Sequence, residues 1–394
     1  MRGRTIPLKH VAPEVRTTVD PDVLGDVEVD HFSIPALDES GGPLRQPAAE
    51  IQSQKQLLRG GEVLVSRLNP RKARVLEVPS LGSMVALASG EFVVLKPSRV
   101  DSRFLCYLLL SEATRQHLDG AVQSVTRSHQ RIRPEQLLTL KVAMPDHAAQ
   151  RAIADFLDTE TARIDALITK KRRLIELLEE RFSTYLREQL SAVVPKLPLK
   201  RRWHVIDCKH RTPEYVTDGY PVVSPGDVIP GRLDLQRAHR FVGQADFNDL
   251  ADATRRPKRQ DIIYSRNASI GIAAFVDTDE GFCMGQDVCL ITSNDQSQLY
   301  LSYVLNTVGL DQLERGKIGS TFSRVNVSQI LELQIPTPEP SLQAVLAEDF
   351  DVRQRAVDGL TDRLHRQITL LQEHRQALIT AAVTGDIDIP GVAA

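Results

Sequence analysis

Three stretches of the chain carry more cations than their surroundings. Guanidinium, ammonium and amide groups at that density are the chemistry of polyanion binding. Between Gly120 and Lys141, the cations Arg127, Arg131, Arg133 and Lys141 stand against Glu135 alone, with His129 among them. Between Lys196 and Arg211, Lys196, Lys200, Arg201, Arg202, Lys209 and Arg211 stand against Asp207. Between Arg255 and Arg266, Arg255, Arg256, Lys258, Arg259 and Arg266 stand against Asp261. One such run is commonly just a solvated face; three of them outside any long helical pattern point to a polyanion. Arginine and lysine can read guanine, asparagine and glutamine can read adenine, and further cations grip phosphate. The candidate DNA-contacting residues are therefore Arg67, Lys72, Arg74, Arg127, His129, Arg131 and Arg133 in the first part of the chain. In the second part they are Lys209, His210, Arg211, Arg266, Asn267, Lys317, Arg324 and Asn326. Asn267, next to Ala268, equally suits a turn, because asparagine tolerates left-handed backbone. The formal net charge over 394 residues is −2, so binding must come from local patches or be shared with a partner.

Other chemistries are poorly supplied. Cys106, Cys208, Cys283 and Cys289 include no CxxC pair, which suits a reducing, cytoplasmic setting. Cys208 with His210 could begin a metal site, but no matching second pair follows, and a small buried thiol beside an unrelated histidine is the plainer reading. Gly316-Lys317-Ile318-Gly319-Ser320 faintly suggests a phosphate loop. It lacks the upstream glycine and the hydroxyl residue directly after the lysine that would hold magnesium. No Asn-Pro-Pro-Tyr, nucleophile elbow or nuclease-like carboxylate set occurs, so catalysis by this chain is not expected. The longest apolar burst, Phe104–Leu110, is too short to span a bilayer, and the N-terminal MRGRTIPLKHV has no apolar run of the signal-peptide kind.

The elements that must position these residues come in two copies. The stretch from Pro145 to Leu190 aligns without a gap on the stretch from Pro338 to Val383 at an offset of 193: Pro145 on Pro338, Gln150 on Gln343, Ala154 on Ala347, Ile175 on Ile368 and Leu178 on Leu371. Each copy reads as one long helix with an apolar seam, formed by Ile164, Ile168, Ile175, Leu178 and Phe182 in the first and Val357, Leu364, Ile368, Leu371 and Leu378 in the second. Leu167, Leu174 and Leu177 are expected to widen the stripe. A lone helix would leave that seam in water, so the two copies are expected to pair as an antiparallel coiled coil. About 40 residues at roughly 1.5 Å each would make a rod near 60 Å. Pro195 and Pro198 end the first helix, and Gly385 stands where a cap would end the second. The cluster from Lys170 to Arg173 is read as a solvated face.

The segments around the helices read as strands, turns and short helices. Strands are expected at Ile6–Lys9, Gly60–Ser66, Ala73–Val78 and Glu91–Lys96, with turns through the Pro/Gly-rich stretch Pro35–Pro47. One helix is expected over Asp101–Leu118, and a short helix or turn over Pro134–Leu140 leads into an extended Val142-Ala-Met-Pro. Residues 195–337 echo this: Leu197-Pro-Leu-Lys repeats Ile6-Pro-Leu-Lys, Gln260–Arg266 repeats Gly61–Arg67, and Gln329–Ile335 repeats Gln136–Val142. Between these anchors the two halves diverge. The expected architecture is α+β, with two similar globules separated by two long helices: 1–144, 145–194, 195–337, 338–385, and a tail at 386–394.

These residues resemble the specificity subunit of type I restriction–modification systems, over essentially the whole length. The most specific part runs from Met144-Pro through Gln150-Arg-Ala-Ile-Ala-Asp-Phe-Leu-Asp to Leu174-Ile-Glu-Leu-Leu-Glu-Glu. Arg375-Gln-Ala-Leu-Ile and Thr384-Gly-Asp-Ile look like the family's closing segment, and Ile206-Asp-Cys-Lys-His-Arg-Thr-Pro like an element of its target-recognition domains. Ala344-Val-Leu-Ala-Glu-Asp-Phe departs from the corresponding Arg151-Ala-Ile-Ala-Asp-Phe-Leu. The resemblance implies a non-catalytic, phage-defence protein in which each globule reads one half of an asymmetric, split target in double-stranded DNA. It implies helices that set the spacing and dock two methyltransferase subunits, with restriction/translocase subunits joining outside. Cofactors would then belong to the complex (S-adenosylmethionine, ATP and magnesium), none to this chain, and no membrane is involved. The alternatives are a protein-binding adaptor without DNA specificity, or a catalytic nuclease or methyltransferase chain.

Overall fold

The computed structural model describes residues 4–120, 130–316 and 324–392. The chain forms two compact units, Met1–Lys171 with His365–Ala394, and Arg172–Leu364. Each unit therefore holds one globule and adjoining parts of both long helices. Helices and strands are mixed in both units, so the α+β class is borne out.

In the first unit the central strand is Val63–Ser66, antiparallel to Val75–Glu77 on one side and Phe92–Leu95 on the other. Side chains alternate across a strand. Val63, Val65, Val93 and Leu95 accordingly face a core with Phe104, Leu105, Ile153 and Leu157. Leu64, Phe92 and Val94 face the opposite core with Phe32, Leu58 and Val78. Burial on both faces explains why these strands read as unbroken apolar runs rather than as alternation. A five-stranded sheet in the order Thr18–Val19, Lys55–Leu58, Val85–Ala88, Glu28–Phe32, Leu44–Pro47 packs beyond. Arg4–Pro7 pairs antiparallel with Lys141–Met144, which ties the start of the globule to its exit.

Two sequence expectations need correction here. Asp101–Leu118 is two helices, Ser102–Leu110 and Glu112–Gly120. Ser111 separates them in extended geometry (ψ 149°). Its hydroxyl donates to the Leu108 carbonyl (2.7 Å) and accepts from the Thr114 N–H (3.3 Å), closing one helix and opening the next. The Pro35–Pro47 stretch holds a helix, Ile34–Ser40, capped by the Ser33 hydroxyl and stopped by Gly41 at φ +74°.

The second unit repeats the plan. Lys196–Pro198 pairs with Gln334–Pro336, and Ile262–Ser265 runs antiparallel to Val288–Thr292. The same alternation sends Ile262, Tyr264, Cys289 and Ile291 to a core with Tyr300, Leu301, Leu190 and Phe350. Ile263, Val288 and Leu290 go to a second core with Val223, Ala274 and Met284. A four-stranded sheet in the order Tyr215–Val216, Phe241–Val242, Tyr220–Val223, Cys283–Met284 has no counterpart of the same form among the described residues of the first unit.

The long helices are His147–Ser191 and Pro340–Thr384, 45 residues each. The Asp146 carboxylate caps the first by accepting the Ala149 N–H (2.8 Å). Gly385 at φ +79° ends the second, and the Asp386 N–H returns to the Ala381 carbonyl (2.8 Å). Within the first unit they run antiparallel, with Arg375 on Asp165 (3.1 Å) and Lys171 on Gln367 (2.6 Å). Within the second unit they also run antiparallel: Tyr185 donates to Asp349 (2.5 Å), while Leu178 and Phe182 share a groove with Ala356 and Val357. Ile164, Ile168, Ile175 and Ile368 are buried; Leu178, Phe182, Val357, Leu364, Leu371 and Leu378 are half-buried. The stripe is narrower than expected, since Leu167, Leu174 and Leu177 are 47%, 46% and 44% exposed. A helical neighbour sits ~100° around the axis from the seam, outside the reach of a single partner helix.

Candidate nucleic-acid interface

The central strand of each unit ends in the same junction. Ser66-Arg67 and Ser265-Arg266 close the strands, and each serine hydroxyl donates two residues ahead, to the carbonyls of Leu68 (3.0 Å) and Asn267 (2.9 Å). The arginine N–H groups donate to the carbonyls of Glu91 and Asp287, both at 2.8 Å. Their own carbonyls accept from Ile132 (2.9 Å) and Val325 (2.8 Å). Glu91 then pairs with Arg131 through two bonds of 3.1 and 2.7 Å, as Asp287 pairs with Arg324 at 2.9 Å. Isolated bridges join Leu68 to Arg131 and Asn267 to Arg324. Two residues on, Arg133 and Asn326 open the helices Pro134–Leu138 and Val327–Leu331, their N–H groups donating to the Gln136 and Gln329 side chains at 2.8 Å each. Candidates far apart in sequence thus meet at one corner of each unit: Arg67, Arg131 and Arg133 in the first, Arg266, Asn267, Arg324 and Asn326 in the second.

The remaining candidates sit elsewhere. Lys72 (3.0 Å) and Arg74 (2.7 Å) converge on Asp38. The Arg74 hydrogen bond, opposed by burial and aided by Lys72, holds that carboxyl well below its usual range. Lys209 pairs with Asp249 (2.5 Å), and Arg211 with Asp246 (2.5 Å) and Asp249 (3.2 Å). His210 lies 3.3 Å from Asp207. Arg266 is 4% exposed; its Nε donates to the Val325 carbonyl (3.1 Å) and its Nη1 is bonded to Asp207. Burial works to raise the Asp207 carboxyl, but Arg266 and His210 together bring it below its ordinary value. Arg127, His129 and Lys317 lie outside the described residues.

Asp207, Cys208 and His210 place ligand-type atoms within 4.8 Å of one another. Asp207 is already committed to Arg266, and burial raises the Cys208 thiol, so the set suits an ion pair better than a cation.

A groove of about 700 Å³ opens beside the second junction, lined by Thr212, Tyr215, Ser224, Arg240, Asn267, Gln286 and Asp287 among others. Asn267 donates to Asp287 (3.2 Å), Gln286 to the Thr212 hydroxyl (3.0 Å), and the Arg240 guanidinium stacks 5.3 Å from the Tyr215 ring centre. Amides, a hydroxyl and a guanidinium without a carboxylate partner among the described residues form the set that reads base edges and holds phosphate. Sequence reasoning missed Tyr215, Arg240 and Gln286, which lie in three separate segments; Arg240 stands with Arg232 and Arg237 against Asp234 alone, a local charge density that could have marked it. Thr212 fell within a segment already marked by resemblance.

Residues 214–370 match the family described as type I restriction modification DNA specificity domain. No curated protein matches the chain in sequence. Among solved structures, the chain is similar to one from a type I R-M system studied for complex assembly and conformational transition: 17% identity, 98% of both chains covered, TM-score 0.72. It is also similar to the HsdS subunit from Thermoanaerobacter tengcongensis, at 16% identity, 98% of this chain and 97% of that one, TM-score 0.51. At such identities these two likenesses speak for the fold. The family match carries the class: the chain holds a type I DNA specificity domain. The resemblance drawn from its sequence is borne out over residues 214–370, as a type I DNA specificity domain.

Proposed function

We propose that each unit reads one half of an asymmetric, bipartite target in double-stranded DNA, and that the long helices set the distance between the half-sites. The observation that carries this reading is the repeated junction. One scaffold corner is built twice with the same bonds, while the residues displayed around it differ, which suits two unlike half-sites. A 45-residue helix is about 68 Å long at ~1.5 Å per residue, close to two turns of B-DNA at roughly 34–36 Å each. Exposed leucines on the helices, Leu167 and Leu370 in the first unit and Leu174, Leu177 and Leu360 in the second, support docking of two methyltransferase subunits there, with restriction or translocase subunits outside them. S-adenosylmethionine, ATP and magnesium would be used by those partners in the cytoplasm. Among the described residues no helix is long and apolar enough to cross a membrane.

The test is a map of methylated adenines in a host carrying the system, compared with the same host lacking this chain. A split motif with an unread gap, lost on deletion, is the expected result. Methylation unchanged by the deletion would leave the adaptor reading as the better one.

A further inference from the structure

One matched position keeps its residue type in both junctions but not its surroundings. Arg67 and Arg266 share their backbone bonds, yet their side chains have different surroundings. Arg266 is buried, and its guanidinium is taken up by Asp207 and the Val325 carbonyl. Arg67 is half-buried, and its Nε is enclosed without a hydrogen-bond acceptor among the described residues. The acid nearest along the backbone contacts, Glu91, has both carboxylate oxygens engaged by Arg131. Residues 1–3, 121–129, 317–323 and 393–394, which lie outside the description, contain no aspartate or glutamate. No undescribed side chain can therefore supply a carboxylate to Arg67.

An enclosed donor without an acceptor is unfavourable, and a guanidinium fork fits either guanine N7 and O6 or a phosphate bidentately. We infer that Arg67 is a DNA-contacting residue of the first unit, offering its guanidinium to a nucleic-acid acceptor, while Arg266 is a positioning residue of the second. The units thus use one scaffold position for different ends, and an arginine contact from this position belongs to one half-site only. This rests on the reading of the chain as a DNA-specificity subunit.

The experiment uses the assembled methyltransferase complex and duplexes carrying its mapped motif. Arg67→Met keeps the aliphatic stem and removes the enclosed N–H. The expected result is a melting temperature equal to or above wild type, with affinity at least tenfold lower. A fall in melting temperature, or wild-type affinity, would overturn the inference. Arg67→Lys separates the two acceptors. Recovered affinity for the lysine variant identifies phosphate, with a salt slope about one unit shallower for Arg67→Met. An equally weak lysine variant that no longer distinguishes guanine at one position of one half-site identifies the base edge. A wild-type complex showing no motif-dependent binding would instead count against the proposed function as a whole.

Discussion

Asp38 shows how one carboxylate can absorb two cations that sequence alone offers to DNA. It carries Lys72 and Arg74 together, and the Arg74 side chain is only 10% exposed. Its folded pKa lies below the ordinary 3.8. The stabilisation from this pair is therefore fully present above about pH 4. It is lost as pH falls through the ordinary value toward the lower folded one. Asp38→Asn should lower the melting temperature at pH 7 by roughly 2 °C, with the difference shrinking as acid is added. A gap that stays constant from pH 7 to pH 3 would show that the pair contributes nothing through its charge. The same exchange recurs across the candidates: Lys209, Arg211, Arg131 and Arg324 each meet an acid distant in sequence. Cation counts within a local window overstate the free charge on offer.

At the scale of the element, the helical repeat was legible because 3.6-residue periodicity survives in composition, and because a seam of isoleucines has few other uses. The jobs of some aligned residues were not legible. Gln150 and Gln343 aligned as an unexplained pair; both are buried, and both fasten a long helix to the first turn of a short one. Gln150 accepts the Asp101 N–H (2.8 Å) and donates to the Pro145 carbonyl (2.9 Å); Gln343 accepts the Ser297 N–H (3.0 Å) and donates to the Pro338 carbonyl (2.8 Å). Ser111 likewise broke an expected single helix, because capping by a hydroxyl competes with continuing the apolar pattern. Helix pairing makes its own prediction. Ile175 is 8% exposed, and Ile175→Asp would bury an unpaired charge at a cost of about 3 kcal/mol or more. Thermal or denaturant unfolding reads this directly, and an unshifted transition would refute the seam.

At the scale of the whole molecule, a chain of net charge −2 offers DNA no bulk attraction, so the proposed binding rests on displayed groups or is shared with a partner. Binding by the assembled complex should still release counterions. Affinity should fall about a thousandfold or more between roughly 50 and 200 mM salt if six or more phosphates are neutralised. A flat salt dependence would favour protein contacts over DNA. The two units gain different surfaces from one plan because the shared bonds are mostly backbone bonds, which leave side chains free to vary. The groove with Tyr215, Arg240 and Gln286 belongs to the second unit's own four-stranded sheet.

The sequence by itself determined the duplication, the two long helices and their seams, the apolar core strands and the family resemblance. All of these rest on periodicity or on residues close together in the chain. Tertiary structure alone decided which cations remain available. An ion pair depends on which acid arrives from tens of residues away: 59 from Asp207 to Arg266, 36 from Asp38 to Arg74. Electrostatic neutralisation is set by distance in space, and local sequence does not record that distance.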